Sequence, residues 1–177
     1  ELAGATIELV TVEASFAEAV DKFIAGECDM ITTEGSGLVN RRAVNDALDD
    51  WAIFPATPIS KEPFAPVYGQ NDSVWADVVN WTIYATIIAD EYGVTQENVD
   101  SFNYEANPEM GRLMGQNDVE LQTSMGLSAD AFYNVIKQVG NYDEIFSRNL
   151  NPVGIFREGS PNMNWKNGGL LYAPAAR

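Results

Sequence analysis

A turn of small, hydroxyl-bearing and acidic residues is the part of this sequence best suited to bind a polar ligand. It reads Thr32-Thr-Glu-Gly-Ser-Gly and lies between a predicted strand and a predicted helix. In open α/β sheets, ligands bind beyond the carboxyl ends of the strands. Glu34 offers a carboxylate for an ammonium group, Thr33 and Ser36 offer hydroxyls, and N–H groups at a helix N-terminus bind anions. These groups suit a small zwitterion; the alternative is an ordinary turn between strand and helix.

The 26 acidic residues raise the alternative of an enzyme that works with two carboxylates. General acid–base catalysis needs two carboxyl groups that converge on one cleft with separated pKa values. The pairs Asp49-Asp50 and Asp90-Glu91 lie instead at predicted helix ends. We interpret them as solvated surface, the usual place for acidic side chains.

Cys28 is the single cysteine, and the chain contains no histidine. The lack of histidine excludes Ser–His–Asp and Cys–His catalysis and any histidine-ligated metal site. Cys28 lies within an apolar segment, which predicts a buried structural thiol rather than a nucleophile. We therefore predict that the protein is not an enzyme and has no catalytic residue, no metal site and no cofactor.

The charge of the chain narrows its possible partners. Ten basic residues stand against 26 acidic ones, for a net charge of −16. A nucleic-acid-binding protein needs a basic surface, and none is visible in the sequence. Nucleic acid is therefore excluded as a partner, and an anionic membrane surface is disfavoured for the same reason.

Capping residues and glycine stops define the predicted elements. Ser15 with Glu18, and Asn141 with Glu144, have the spacing of capping boxes. Cys28 is predicted to be buried in the first of two short strands, and a helix, a glycine and then a strand are typical of an α/β fold. The predicted helices are 15–25, 36–48, 73–92, short helices from 95 and from 107, 128–139 and 142–149; the predicted strands are 28–33 and 51–54.

A proline-rich segment, 55–66, divides the chain. It contains four prolines, at positions 55, 58, 63 and 66. Proline is excluded from central strands, so the segment predicts an extended edge or a connector. Helix and strand alternate before it, whereas helix and loop dominate after it. We predict the domain boundary here.

Five segments of the sequence, taken in order, carry a resemblance to a known family. The segments are Gly26-Glu-Cys-Asp-Met-Ile-Thr-Thr-Glu-Gly-Ser-Gly-Leu, Pro58-Ile-Ser-Lys-Glu-Pro-Phe-Ala-Pro-Val, Trp75-Ala-Asp-Val-Val-Asn-Trp-Thr-Ile-Tyr-Ala, Ile136-Lys-Gln-Val-Gly-Asn-Tyr-Asp-Glu-Ile-Phe-Ser-Arg-Asn-Leu and Gly168-Gly-Leu-Leu-Tyr-Ala-Pro. They resemble the periplasmic general L-amino-acid-binding proteins of ABC transporters, which are solute-binding proteins with the type II fold. The resemblance spans about residues 16–177, and the segment Ile136 to Leu150 is the most specific match.

The resemblance implies an α/β, periplasmic-binding-protein-like fold with two lobes joined by crossing strands, here only partly represented. Residues 1–66 would form part of lobe two, and residues 67–177 the C-terminal part of lobe one. The implied function is reversible binding of L-amino acids in an interlobe cleft, as the substrate-binding component of an amino-acid importer. The implied partners are an L-amino acid and the membrane permease subunits, and the implied location is the periplasm. Thr33, Glu34 and Ser36 match the ligand-binding turn.

The chain also departs from the family pattern. The first half of lobe one is missing, including the arginine that binds the ligand carboxylate in relatives. The Gly-Thr-Thr loop of lobe two is missing as well, and Glu34 replaces the usual Asp. Three explanations stay open: a fragment, a truncated paralogue, or the ordered segments of a longer chain. A truncated paralogue that acts as a protein-interaction module, without ligand binding, is the alternative function.

Overall fold

The computed structural model of this 177-residue chain describes residues 4, 6–13, 15–55 and 58–176. Two compact units divide the chain, Glu1–Pro63 and Phe64–Arg177. The predicted proline-rich boundary, 55–66, contains two residues, 56 and 57, that lie outside the described part. The assignment of 1–66 and 67–177 to two lobes stays a prediction.

The first unit contains two helices, α1 (Phe16–Ile24) and α2 (Gly35–Val44). Ser15 caps α1, because its side chain accepts a hydrogen bond from the Glu18 N–H over 3.4 Å, which is one of the two bonds of the predicted capping box. Val20 is buried, and the Phe23 ring meets the Trp51 ring edge-on with 5.1 Å between centroids. α2 ends four residues before the predicted Leu48, in a turn that contains a left-handed residue, Asp46.

The predicted strands 28–33 and 51–54 are wrong. Both segments lack helix and β-pairing, and the one β-bridge within the described residues joins Asn164 to Leu171. A strand exists only through hydrogen bonds to a neighbouring strand. An apolar run with a strand-like composition therefore stays irregular where the described chain offers it no partner. The α/β prediction is accordingly not met by the secondary structure of these residues.

The second unit is helical. α3 is its longest helix, and the Asp72 side chain caps it by accepting from the Trp75 N–H over 2.9 Å, where the sequence predicted Ser73 as the cap. Gly93 ends α3 in the left-handed conformation, with φ of 68°, as predicted. The helices are α3 (Ser73–Tyr92), α4 (Pro108–Leu113), α5 (Glu120–Ser124), α6 (Ala131–Val139) and α7 (Tyr142–Leu150), with 3₁₀ turns at Asn151–Val153 and Trp165–Asn167.

The predicted capping box at the start of α7 is confirmed. The Asn141 side chain accepts from the Glu144 N–H, and the Glu144 carboxylate accepts from the Asn141 N–H, both over 2.9 Å. Asn141 also donates its side-chain amide to the Val94 carbonyl over 2.8 Å, and Glu144 accepts from the Gln96 N–H. The cap therefore also holds the turn that follows α3.

The core of the second unit lies where α3, α4, α6 and the C-terminal segment meet. Ile88, Met110, Leu113, Phe132 and Ile136 are almost completely buried there. Asn107-Pro108 begins α4 as predicted, with proline in the first turn. Three details differ from the prediction: α6 begins at residue 131 rather than 128, residues from 95 form turns, and α5 was not predicted. None of the helices in the described ranges is long and apolar enough to cross a membrane.

Candidate functional site

The predicted ligand-binding turn lies at the N-terminus of α2. Glu34 occupies the N-cap position with φ of −56° and ψ of 141°, and its carbonyl accepts from the Leu38 N–H over 3.1 Å. The Glu34 carboxylate makes no capping hydrogen bond. Thr33, Glu34 and Ser36 are all exposed, so their polar groups face solvent in this structure. The turn therefore presents one carboxylate and two hydroxyls beside a helix N-terminus.

Close packing holds this turn against its own helix. A Cβ placed on Gly37 would lie 3.2 Å from Cγ2 of Thr33 and 3.7 Å from the Phe16 ring. On Gly35 the same Cβ would meet nothing within 4 Å. The Arg41 guanidinium lies over the Phe16 ring, 5.8 Å from its centroid. The absence of a side chain at Gly37 therefore leaves room for the Thr33 methyl group and the Phe16 ring.

The electrostatics of α2 favour an anion at its N-terminus. Its first turn contains no acidic residue, and its last turn contains Arg41 and Arg42. The first N–H groups of any helix lack acceptors within the helix, and the helix dipole places partial positive charge there. The turn thus joins a group that binds cations, the Glu34 carboxylate, to one that binds anions. The sequence predicted these two chemistries for a zwitterion, and the ligand-binding role of the turn stays a prediction.

The burial of Cys28 differs from what the sequence predicted. Its side chain is half-buried rather than buried, because the segment around it forms no strand in a sheet. It is a free cysteine. The described residues contain no cluster of acidic residues and cysteine that could bind a metal ion.

A buried arginine is the strongest charged feature of the second unit, and sequence reasoning missed it. Arg157 is 5% exposed, and each of its three guanidinium nitrogens has an acceptor. Nη2 donates to Asp90 over 2.6 Å, Nη1 to Asp143 over 2.9 Å and Nε to the Asn162 carbonyl over 2.7 Å. Asp90 also accepts from the Asn164 side chain over 3.2 Å. We call Arg157, Asp90, Asp143 and Asn164 the arginine cluster.

The arginine cluster connects elements of the fold. Burial would lower the pKa of Arg157, but the hydrogen bonds that it donates to Asp90 and Asp143, together with their negative charges, outweigh burial and raise that pKa above its usual range. The Asp90 side chain is only 10% exposed, so the prediction that this acid is solvated surface is wrong. Because its guanidinium is fully engaged, Arg157 joins α3, α7 and the C-terminal loop, and it does not offer a free cation to a ligand.

A second set of polar contacts fastens the C-terminal segment to α4. The Glu109 carboxylate accepts from the Ala176 N–H over 2.9 Å and from the Tyr92 hydroxyl over 2.7 Å. Arg112 donates from Nε to the Ala176 carbonyl over 3.2 Å. The hydrogen bond to Glu109, together with burial, raises the pKa of Tyr92 to about 12. We call Tyr92, Glu109, Arg112 and Ala176 the C-terminal clasp.

Two open clefts lie in the second unit. One, of about 250 Å³, is lined by Arg112, Asp118, Glu120, Leu121, Ser124 and Ala176. The other, of about 360 Å³, is lined by Gly159, Ser160, Pro161, Met163, Asn167, Gly168 and Leu170. Neither cleft contains a residue that the sequence singled out for ligand binding.

No protein-family model matches the chain. Among solved structures, it is similar to an ABC-transporter periplasmic binding protein from Brucella ovis with glutathione bound, with a TM-score of 0.84 and 41% identity. The match covers 94% of this chain and 52% of that one. The chain therefore has the backbone of part of a periplasmic binding protein, as the resemblance implied. The two-lobed arrangement with crossing strands stays a prediction.

Two curated relatives indicate which kind of periplasmic binding protein the chain resembles. The general L-amino acid-binding periplasmic protein AapJ of Rhizobium johnstonii is 45% identical over 157 residues, 86% of this chain and 45% of the relative. The glutamate/glutamine/aspartate/asparagine-binding protein BztA of Rhodobacter capsulatus is 39% identical over 165 residues, 91% of this chain and 48% of the relative. The chain is a homologue of the amino-acid-binding proteins of ABC transporters. It spans about half the length of the curated relatives it matches.

Proposed function

We propose that this chain is part of the substrate-binding component of an amino-acid ABC importer. It binds L-amino acids reversibly in the periplasm and delivers them to membrane permease subunits. The observation that carries the proposal is the 45% identity to a general L-amino acid-binding periplasmic protein. The matched relatives are named as binding proteins, which supports binding without catalysis as the role of this chain.

The proposal assigns residues 1–66 to lobe two and residues 67–177 to the C-terminal part of lobe one. The change from one compact unit to the next, at Pro63 and Phe64, supports this assignment. The irregular conformation of 28–33 is compatible with it, because a strand of lobe two needs partner strands that the described residues do not supply.

The ligand-binding role falls to the turn of Thr33, Glu34 and Ser36. The Glu34 carboxylate is exposed and free of a capping bond, so it can accept the ammonium group of an amino acid. A hydrogen bond to a charged group contributes about 1.5–3 kcal/mol. The Thr33 and Ser36 hydroxyls lie beside it and offer further hydrogen bonds.

Glutathione is a second candidate ligand. The solved neighbour at 41% identity is described with glutathione bound. Glutathione has a γ-glutamyl end with the ammonium and carboxylate of a free amino acid, so the same carboxylate-bearing turn suits it. A calorimetric panel that contains both L-amino acids and glutathione separates the two candidates.

The test uses a chimaera in which residues 16–177 replace the matched half of the Rhizobium johnstonii relative. The chimaera restores full family length, and its affinity is measured by isothermal titration. Glu34→Gln removes the charge at nearly constant shape. We expect at least tenfold weaker binding, because about 1.4 kcal/mol corresponds to a factor of ten.

Glu158→Gln is the matched control, since it removes an exposed carboxylate from the second unit. An unchanged affinity for Glu34→Gln would show that this turn does not hold the ligand. A folded chimaera that binds neither L-amino acids nor glutathione would refute the proposed function. It would favour the alternative of a protein-interaction module.

A further inference from the structure

The sequence contains one Asn–Gly pair, Asn167-Gly168, and it lies at the end of the last 3₁₀ turn, just before the C-terminal segment, residues 170–176. A peptide nitrogen can attack the side-chain carbonyl of an asparagine directly before it, because the product is a five-membered ring. Glycine at the second position favours this attack, since it has no Cβ to hinder the approach of its nitrogen. The chemistry of this pair is that of spontaneous deamidation, which requires neither an enzyme nor a cofactor.

The Asn167 side chain is accessible to this reaction. Asn167 is exposed, and its side-chain amide makes no hydrogen bond to any other described residue. Its backbone N–H instead donates to the Asn164 side chain over 3.1 Å. Asn167 and Gly168 both line the open cleft of about 360 Å³, so water can reach the ring that the attack would form.

The attacking nitrogen, that of Gly168, is weakly held. Its N–H donates to the Trp165 carbonyl over 3.3 Å, which is long for such a bond. Gly168 has φ of 83°, in the left-handed region that favours glycine, and a Cβ placed on it would meet nothing within 4 Å. The space around Gly168 is therefore open, and the loss of one long hydrogen bond frees its nitrogen.

Asn162, five residues earlier in the same loop, provides a comparison. It is exposed as well, and its side-chain amide likewise makes no hydrogen bond within the described ranges. The residue after it, Met163, carries a full side chain, and the Met163 N–H donates to the Ser160 carbonyl over 3.1 Å. Asn164 is only 3% exposed, and both ends of its side-chain amide are hydrogen-bonded. Of these asparagines, Asn167 is therefore the one with both an open side chain and an unhindered attacking nitrogen.

Isoaspartate, one product of the reaction, lengthens the main chain by one methylene group, and the loop has no room for it. Gly169 lies tightly against the preceding turn, since a Cβ placed on it would overlap the Met163 carbonyl oxygen. The Gly169 N–H donates to the Asn164 carbonyl over 3.1 Å. An added methylene between residues 167 and 168 would therefore displace Gly169 from both neighbours.

The attachment of the C-terminal segment depends on this same register. Asn164 and Leu171 form a parallel β-bridge. In it the Trp165 N–H donates to the Leu171 carbonyl over 2.9 Å, and the Leu171 N–H donates to the Met163 carbonyl over 3.1 Å. The Asn164 side chain also donates to Asp90 in the arginine cluster. A longer main chain at position 167 therefore disturbs the bonds that hold the C-terminal segment to the rest of the second unit.

We propose that Asn167 is a site of spontaneous deamidation, and that isoaspartate at this position loosens the C-terminal segment. The Gly168 nitrogen bonds to Cγ of Asn167, and the side-chain NH₂ leaves with the Gly168 proton as ammonia. Water then opens the succinimide ring. Breaking the new bond to Cγ gives aspartate, and breaking the original peptide bond gives isoaspartate. The inference does not depend on the proposed function, because the reaction involves only adjacent residues and water.

The first experiment incubates the purified chain in slightly alkaline buffer and follows the conversion of amide to carboxylic acid by peptide mass spectrometry. Trypsin cleaves after Arg157 and Lys166, so Asn162 and Asn167 fall in separate peptides. We expect Asn167 to deamidate at least tenfold faster than Asn162, with isoaspartate among the products. Asn167→Gln should stop the reaction at this position, because the longer side chain needs a six-membered ring. Equal rates at Asn162 and Asn167 overturn the proposed site.

The second experiment measures hydrogen exchange at the Gly169 and Leu171 amides. In the isoaspartate form both should exchange at least tenfold faster than in the parent chain. Freshly prepared Asn167→Asp is the matched control, since it adds the same charge with a main chain of normal length, and it should change exchange less than twofold. Equal exchange in the isoaspartate form and in Asn167→Asp overturns the loosening. The same loss of protection in incubated Asn167→Gln also overturns it, because a change elsewhere would then be the cause.

Discussion

Removing Arg157 should destabilise the second unit more than any exposed substitution. Arg157→Met deletes the guanidinium but keeps much of the apolar stem. The Asp90 carboxylate, whose side chain is 10% exposed, then loses its ion pair and keeps only the Asn164 amide. Breaking a buried ion pair by removing one partner costs about 3–5 kcal/mol. We expect the low end, about 3 kcal/mol, because Asn164 still donates to Asp90.

The two carboxylates of the arginine cluster provide an internal comparison. The Asp143 side chain is 53% exposed, so solvent screens its ion pair with Arg157. Asp143→Asn should therefore cost less than about 1 kcal/mol, the range of surface ion pairs. The double variant Arg157→Met with Asp90→Asn removes both buried charges, and it should cost clearly less than the sum of the two single variants.

Urea unfolding followed by circular dichroism measures these changes in the free energy of unfolding. For the second unit, about 3 kcal/mol corresponds to a fall in midpoint temperature on the order of 10 °C. A loss below about 1 kcal/mol for Arg157→Met would refute the reasoning, since it would place the cluster in the range of solvated pairs. Additive effects of Arg157→Met and Asp90→Asn would refute it as well, because coupled partners are not additive.

Three further predictions follow from the clasp, the turn and the family pattern. The pKa of Tyr92 is raised to about 12, so between pH 10 and 12 the folded state keeps a proton that the unfolded state loses. The stability that this group contributes is therefore lost as pH rises from about 10 towards 12. Tyr92→Phe should reduce the dependence of the free energy of unfolding on pH in that range, measured by urea unfolding, and an unchanged dependence would contradict the prediction. Gly37→Ala should shift the Thr33 methyl resonance in NMR spectra more than Gly35→Ala does, because only position 37 leaves too little room for a Cβ; equal shifts would count against this packing. The chain alone should bind L-amino acids more weakly than a micromolar dissociation constant, which corresponds to about 8 kcal/mol. The family resemblance implies that the arginine for the ligand carboxylate lies outside the residues of this chain, and Arg157 is already engaged by Asp90 and Asp143. Micromolar binding to a preparation of verified 19.4 kDa mass would contradict this.

Local capping chemistry explains which elements could be predicted from the sequence. The Asn141–Glu144 pair and Ser15 act on N–H groups three residues away, so sequence spacing is sufficient to find them. The end of α3 at Gly93 could also be predicted, because the left-handed conformation at a helix end favours glycine. The sequence could not predict whether Asp72 or Ser73 caps α3, since both residue types are good caps and only the backbone geometry selects one.

Long-range partners explain what could not be predicted. The strand 28–33 was inferred from composition, yet a strand depends on a neighbour that local sequence does not show. The α5 segment is too short for a helical period to be visible. In the candidate site, the spacing brought Thr33, Glu34 and Ser36 together at a helix N-terminus, but sequence gave no sign of the Gly37 contact. The buried ion pair of Arg157 could not be predicted for the same reason, since its partner Asp90 lies 67 residues earlier in the chain.

The C-terminal clasp has a consequence for the order in which the chain acquires its structure. Glu109 bonds to the Ala176 N–H across 67 residues, and Arg112 bonds to its carbonyl across 64. During synthesis, α3 and α4 leave the ribosome long before Ala176 is added, so the clasp cannot close until residue 176 has emerged. High sequence separation of contacts slows folding, because loop entropy is lost before the contact is gained. Closure of the clasp is therefore a late step in the folding of the second unit, and α3 and α4 lack these two bonds until then.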